Sequence, residues 1–146
     1  MDAKQWAKDL AERVKLRREQ QEKYRQLSTT VEELKRNQGP ALWDQFRSAI
    51  KTQADLIMSS LGENDAIRIT EKTPNDISCK SRSQHEINAH FDRDKLTVKC
   101  LLISTPKTYT VTVADGTLKF QAHDNARFKN PDEAARECLE ELEAYL

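Results

Sequence analysis

Apolar and polar residues alternate most regularly on the two sides of Asp115-Gly116, a dipeptide typical of a two-residue β-hairpin turn. A turn centred there pairs apolar with apolar and polar with polar residues at every step. The apolar pairs are Val113 with Leu118, Val111 with Phe120 and Tyr109 with Ala122, and the polar pairs are Thr112 with Lys119, Thr110 with Gln121 and Thr108 with His123. A slip of one residue would exchange the two faces. The pattern therefore predicts an antiparallel hairpin with one buried face.

The same period of two begins near residue 65 and predicts further strands upstream of this hairpin. They are marked by Ile67 and Ile69, by Ile77 and Cys79, by Ile87, Ala89 and Phe91, and by the apolar positions of residues 96–103. A turn at Arg93-Asp94 would pair Phe91 with Leu96, Ala89 with Val98 and Ile87 with Cys100, and a turn at Pro106 would pair Leu102 with Tyr109, Cys100 with Val111 and Val98 with Val113. The hairpins agree in phase, which predicts a meander of five to six antiparallel strands.

Residues 2–37 have the period of a helix. Apolar stripes lie at both ends, and the segment 15–23 between them is polar almost all round. The first stripe is Trp6, Leu10 and Val14, and the second is Tyr24, Leu27, Val31 and Leu34. A continuous helix of this length would be about 55 Å long. A domain formed by the rest of the chain would be about 30–35 Å across, so we expect the helix to protrude.

An alternative is a break at Ser28-Thr29-Thr30, which resembles a capping box because two glutamates follow it. Residues 2–27 would then fold back along the next helix. The segment Asn37-Gln38-Gly39-Pro40 predicts a helix end followed by a new start. Residues 40–61 carry the clearest amphipathic pattern in the chain, and Gly62 lies where a glycine ends a helix.

Asn130-Pro131-Asp132-Glu133 combines an N-cap residue, a proline at N1 and two acidic residues, so it predicts the start of a C-terminal helix. The order of elements predicts an α+β fold. It has two N-terminal helices, the first one long, a meander of five to six strands, and a C-terminal helix packed on one sheet face. We expect residues 1–39 to form the long helix and residues 40–146 a single domain.

The chain of 146 residues contains 24 basic and 24 acidic residues. This balance gives no global attraction to nucleic acid or to an anionic membrane, and we expect neither partner. The charge is nevertheless segregated along the chain. Residues 1–39 contain ten basic and seven acidic side chains, whereas residues 131–146 contain one basic and six acidic side chains.

Compartment is indicated by the cysteines and by the absence of long apolar runs. No run approaches the roughly 20 residues that span a bilayer, and the charged N-terminus lacks the apolar centre of a secretory signal. Cys79, Cys100 and Cys138 are odd in number and form no CxxC pair. We predict that they are reduced core residues of a cytoplasmic protein.

No residue pattern predicts catalysis. His90 and His123 lie on the polar phase of the sheet and Cys79 and Cys100 on the apolar phase, while His85 lies in a polar loop, so they do not converge as metal ligands. No nucleophile is placed beside a base. The three glycines are accounted for by two helix ends and a hairpin, which leaves none for a phosphate-binding loop. We therefore expect no metal, no cofactor and no enzymatic activity.

Two surfaces are candidates for protein contacts. The outer sheet face is predicted to be polar and without aromatic residues that would stack RNA bases. Its predicted members are Asn88, His90, Thr97, Lys99, Thr108, Thr110, Thr112, Lys119, Gln121 and His123. Leu101 and Ile103 interrupt this face and suggest cover by the first helix or by another chain. If that helix is straight, Trp6, Leu10 and Val14 need a partner outside their own core.

The sequence thus predicts a non-catalytic protein–protein interaction module, adaptor-like or chaperone-like, acting through its N-terminal helix. The candidate interaction residues are Trp6, Leu10, Val14, Leu101 and Ile103. The expected partner is a second copy or another protein. The alternative is a small-ligand-binding domain with its site between the apolar sheet face and helix 40–61. Filling of that space by aromatic side chains would argue against the alternative.

Overall fold

A computed structural model describes residues 2–146 and has one long helix, a seven-stranded sheet and a C-terminal helix. The elements are α1 (Ala3–Leu61), β1 (Ile67–Thr70), β2 (Asp76–Ser81), β3 (Glu86–Asp92), β4 (Thr97–Leu101), β5 (Lys107–Ala114), β6 (Thr117–Ala122), β7 (Phe128–Lys129) and α2 (Pro131–Glu140), followed by a 3₁₀ turn at Glu143–Tyr145. The α+β class is confirmed. The chain divides into two compact units, one ending at Leu34 and the other comprising Lys35–Leu146.

The prediction of two N-terminal helices is wrong, because α1 continues through Pro40. Gly39 is buried and lies against the sheet; a Cβ atom there would be 3.1 Å from Leu96 Cδ2. The residues that follow, including Trp43 and Phe46, are buried in the core. The absence of a side chain at Gly39 therefore allows α1 to pack closely here. A proline inside a helix costs about 3 kcal/mol, and burial of the next two turns of α1 offsets this cost.

The alternative break at Ser28–Thr30 is also wrong. The Thr29 and Thr30 hydroxyls donate hydrogen bonds to the carbonyl oxygens of Arg25 and Gln26, each at 2.9 Å. These bonds return to the preceding turn of the same helix instead of capping a new one. The helix therefore continues through this segment.

The seven strands pair in sequence order, and every pair is antiparallel. The meander is confirmed, although the prediction of five to six strands missed at least the two-residue β7. The β5–β6 register is the predicted one, from Tyr109 with Ala122 to Val113 with Leu118. Asp115 and Gly116 have φ values of 52° and 75°, as a type I′ turn requires.

The other two predicted registers are wrong by an even number of residues. Phe91 pairs with Val98 instead of Leu96, and Tyr109 pairs with Val98 instead of Leu102. Strand β4 ends at Leu101, so Leu102 and Ile103 belong to the following loop. Because side chains alternate with a period of two, these shifts leave each residue of the paired strands on its predicted face.

The core lies on one face of the sheet, where α1 from Leu42 onward and α2 both pack. The Trp43 ring is fully buried and stacks on Phe46 and Phe91 at centroid distances of 5.5 and 5.6 Å. Its indole N–H donates to the Pro74 carbonyl oxygen at 2.8 Å. The Asn130 side chain caps α2 by accepting from the Glu133 amide at 2.8 Å, as predicted. Both helices are therefore fixed on the same apolar face.

Candidate functional site

The predicted stripe Trp6, Leu10 and Val14 is exposed along α1, with 55%, 39% and 37% of each residue accessible. Almost every residue between Asp2 and Glu33 is exposed. The polar bonds of this segment are local, such as the Gln5 amide donating to Asp9 at 2.9 Å. A helix that is accessible all round gains little stability from burial of its own apolar face.

Leu101 and Ile103, the other two candidate interaction residues, have different environments. Leu101 is 53% exposed at the end of β4, opposite Asn88. Ile103 is half-buried in the loop after β4 and packs against the core. Leu101 is therefore the more accessible of the two.

The outer sheet face is polar, as predicted, and its side chains bond to one another across the strands. Asn88 donates to the Ser78 hydroxyl at 3.0 Å, and His90 Nδ1 lies 2.6 Å from Asp76 Oδ1. The Thr73 hydroxyl and His90 lower the pKa of Asp76. One aromatic residue was missed: Phe128 of β7, which pairs with Gln121 and is 48% exposed. A two-residue strand has too little sequence pattern to predict it.

The space between the apolar sheet face and the α1 segment 40–61 is filled by side chains. The recess found there has a volume of about 10 Å³, lined by residues that include Phe46, Ile50 and Cys138. A small-ligand pocket needs at least about 300 Å³. The packing therefore weighs against the ligand-binding alternative at its predicted location.

A large recess instead lies between α1 and α2, on a surface that the sequence analysis did not single out. This α1–α2 groove has a volume of about 780 Å³. It is lined by Gln53, Leu56, Ile57, Leu61, Arg136, Leu139, Glu140, Glu143 and Leu146. It adjoins a second recess of about 730 Å³, with which it shares Gln53, Leu56 and Arg136. A sequence signal for it is Leu56, an apolar residue that does not belong to the buried positions of its helix.

The three cysteines are unpaired and buried, as predicted. Burial, with a contribution from Glu86, raises the pKa of the Cys79 thiol to about 12. The Cys138 thiol donates to Cys100 Sγ at 3.6 Å, and this bond together with burial raises the Cys138 pKa. Thiols held neutral in this way are poor nucleophiles, because the thiolate is the reactive form.

Ion pairs fix the helices to the sheet around the core. Glu71 accepts from Arg47 at 2.7 Å and is also paired with Lys51. Glu137 of α2 pairs with Lys107 and, at 2.9 Å, with Lys129. Burial alone would raise the pKa of Glu71, but the hydrogen bonds and charges of Lys51 and Arg47 lower it. These half-buried pairs join separate elements and are best explained as structural.

Within residues 2–146, no three histidine, cysteine, aspartate or glutamate side chains are grouped so that they would hold a metal ion. Over the same residues, no helix is both long and apolar enough to cross a membrane. No family model and no curated protein matches this sequence. The candidate sites are therefore the exposed stripe of α1 and the α1–α2 groove.

Proposed function

We propose that this protein is a non-catalytic protein–protein interaction module, adaptor-like or chaperone-like, that acts through the N-terminal segment of α1. The observation that carries the proposal is the exposure of Trp6, Leu10 and Val14 on a segment that buries almost none of its own residues. The three buried, unpaired cysteines support a non-catalytic role in the reducing environment of the cytoplasm.

The energy available from the stripe matches reversible association. Complete burial of a large apolar side chain contributes roughly 1.5–3 kcal/mol. Docking removes translational and rotational freedom, which costs about 4–15 kcal/mol. Burial of three such side chains offsets this cost only in part, or exceeds it by a small margin. We therefore expect a weak to moderate self-association, with a second copy of the chain as partner.

The test is the oligomeric state of the full chain, measured by sedimentation velocity and light scattering over a series of micromolar concentrations. We expect the wild type to form a dimer and the double variant Trp6→Ala/Leu10→Ala to be monomeric, with an unchanged thermal melt. Leu16→Ala is the matched control, because Leu16 is 57% exposed but lies off the stripe. It should remain dimeric.

Two results would contradict this proposal in different ways. A double variant that dimerises as well as the wild type would show that the stripe is not the contact. A wild-type chain that is monomeric at every concentration would refute self-association and leave only capture of a different protein. A large fall in the melting temperature of the double variant would mean that these side chains stabilise the fold.

A further inference from the structure

We propose that the α1–α2 groove is the docking site for the Trp6–Leu10–Val14 stripe of a second copy of this chain. The inference rests on the proposed function and adds the surface that receives the stripe. Two copies would exchange their N-terminal segments, so that each segment occupies the groove of the partner.

The groove is rich in exposed apolar side chains. The large hydrophobic side chains exposed in Lys35–Leu146 are Leu56, Leu61, Leu101, Phe128 and Leu146. Three of these five line the groove: Leu56 at 61% exposure, Leu61 at 50% and Leu146 at 41%. The exposed apolar surface of this unit is therefore concentrated where a partner would bury it.

The stripe and the groove are compatible in shape. A cleft between two helices accepts the apolar face of a third helix through side chains about one turn apart. Trp6, Leu10 and Val14 are spaced by four residues on a continuous helix, so the stripe extends about 12 Å at 1.5 Å per residue. Trp6 supplies the kind of aromatic anchor that dominates protein interfaces.

The charges of the groove and of the N-terminal segment are complementary. Glu140 and Glu143 line the groove, and Asp44 and Asp132 line the adjoining recess, against a single basic residue, Arg136. The segment 2–18 has six basic and three acidic side chains. A basic amphipathic helix is thus complementary to this surface, and opposite potentials favour encounter and orientation.

Charge disfavours a parallel, in-register pairing of the two N-terminal segments. A heptad register that places Tyr24 and Leu27 in the seam of a coiled coil also places Leu10 and Trp6 there. The seam positions between these two pairs are Gln20, Arg17 and Arg13. A parallel, in-register coiled coil would place these arginines in the seam, opposite the same residues of the partner. Like charges buried in this way oppose association. In the groove and its adjoining recess a basic helix meets four acidic side chains and a single basic one, Arg136.

The experiment is complementation between two full-length variants. Leu56→Glu puts a charge into the groove and leaves the stripe intact, whereas Trp6→Ala/Leu10→Ala removes the stripe and leaves the groove intact. We expect each variant alone to be monomeric at concentrations where the wild type is a dimer. An equimolar mixture should form a heterodimer through one intact stripe in one intact groove, at higher concentration than the wild type needs.

The control is Phe128→Glu, which introduces the same charge at a side chain of similar exposure on the outer sheet face, and it should dimerise like the wild type. Circular dichroism and thermal melts should show all variants folded. Since Leu56 is mostly exposed, Leu56→Glu should melt near the wild type. If Leu56→Glu melts well below the wild type, Glu143→Lys replaces it as the groove variant. We expect Glu143→Lys to dimerise about tenfold more weakly than the wild type at low salt.

The outcomes separate this inference from the proposed function. If the stripe variant is monomeric but Leu56→Glu and Glu143→Lys both dimerise normally, the stripe is a contact and the groove is not. If the mixture fails to associate although each variant is folded and monomeric alone, the stripe does not dock in the groove. A wild-type monomer would refute the self-association on which both depend.

Discussion

Replacement of Pro40 by alanine should stabilise the protein, and the sign of this effect tests the continuity of α1. Pro40 lies inside the helix, where it supplies no N–H for the carbonyl group of Arg36 one turn earlier. If a new helix began at residue 40 instead, proline would occupy a favourable first position. Alanine would then be neutral or destabilising.

The magnitude follows from two opposing terms. Proline in a helix interior is about 3 kcal/mol less favourable than alanine. Pro40 is half-buried, so alanine loses part of the burial of two ring methylene groups, about 0.8 kcal/mol in all if each is half-buried. We expect a net gain of about 1–2 kcal/mol in the free energy of unfolding, because a proline already accommodated by its surroundings has recovered some of the cost.

The assay is urea and thermal unfolding, followed by the fluorescence of the buried Trp43 and by circular dichroism. For a chain of this size the gain corresponds to a rise of about 3–8 °C in Tm. Pro131→Ala is the control, because Pro131 occupies the first turn of α2, and its replacement should leave stability unchanged or slightly lower. A Pro40→Ala variant no more stable than the wild type would refute the reasoning.

Three further predictions concern stability and reactivity. Gly116→Val should lower stability by about 1–2 kcal/mol, because residue 116 has φ +75° and a β-branched residue is strained there; an unchanged thermal melt would contradict the type I′ turn. A thiol reagent should modify the native protein slowly and titrate three cysteines only after denaturation; rapid reaction of one in the folded state would contradict a purely structural role for the cysteines. The pKa of Glu71 is lowered from its ordinary value of 4.5, so ionised Glu71 contributes to the free energy of unfolding at pH values above 4.5. Acid titration should remove this contribution as the pH falls below that value, and the free energy of unfolding of Glu71→Gln should depend less on pH over this range.

Turn chemistry decided which parts of the sheet could be predicted. The β5–β6 register was predicted in full because Asp115-Gly116 permits one short turn. The β3–β4 register was wrong because Asp92 accepts hydrogen bonds from the Asp94 and Lys95 amides and Leu96 adopts φ +54°. The loop is therefore longer than Arg93-Asp94 suggested. The buried residues were still predicted, since an even shift conserves the face.

The helix boundary near Pro40 was predicted incorrectly because local signals and packing disagree. Asn37-Gln38-Gly39-Pro40 has the residues of a helix end, and only the tertiary structure shows Gly39 against Leu96. The groove was missed for a related reason. Leu56 and Leu61 belong to α1 whereas Leu146 lies at the C-terminus, and no periodicity within one helix shows that residues so far apart in sequence share a surface.

The segregation of charge along the chain would set the geometry of the proposed self-association. A chain with equal numbers of basic and acidic residues has no net repulsion between copies. Its N-terminal segment is nevertheless basic, and the charged side chains that line the groove and the adjoining recess are mostly acidic. Contact between such unlike surfaces is heterologous. When the segment of one copy docks in the groove of the other, the groove of the first copy and the stripe of the second remain unoccupied. Reciprocal exchange would fill both grooves and cover both stripes within two copies, whereas one-sided docking would extend into a filament. A closed dimer is therefore the smallest assembly in which the proposed docking would cover the Trp6–Leu10–Val14 stripe of every copy.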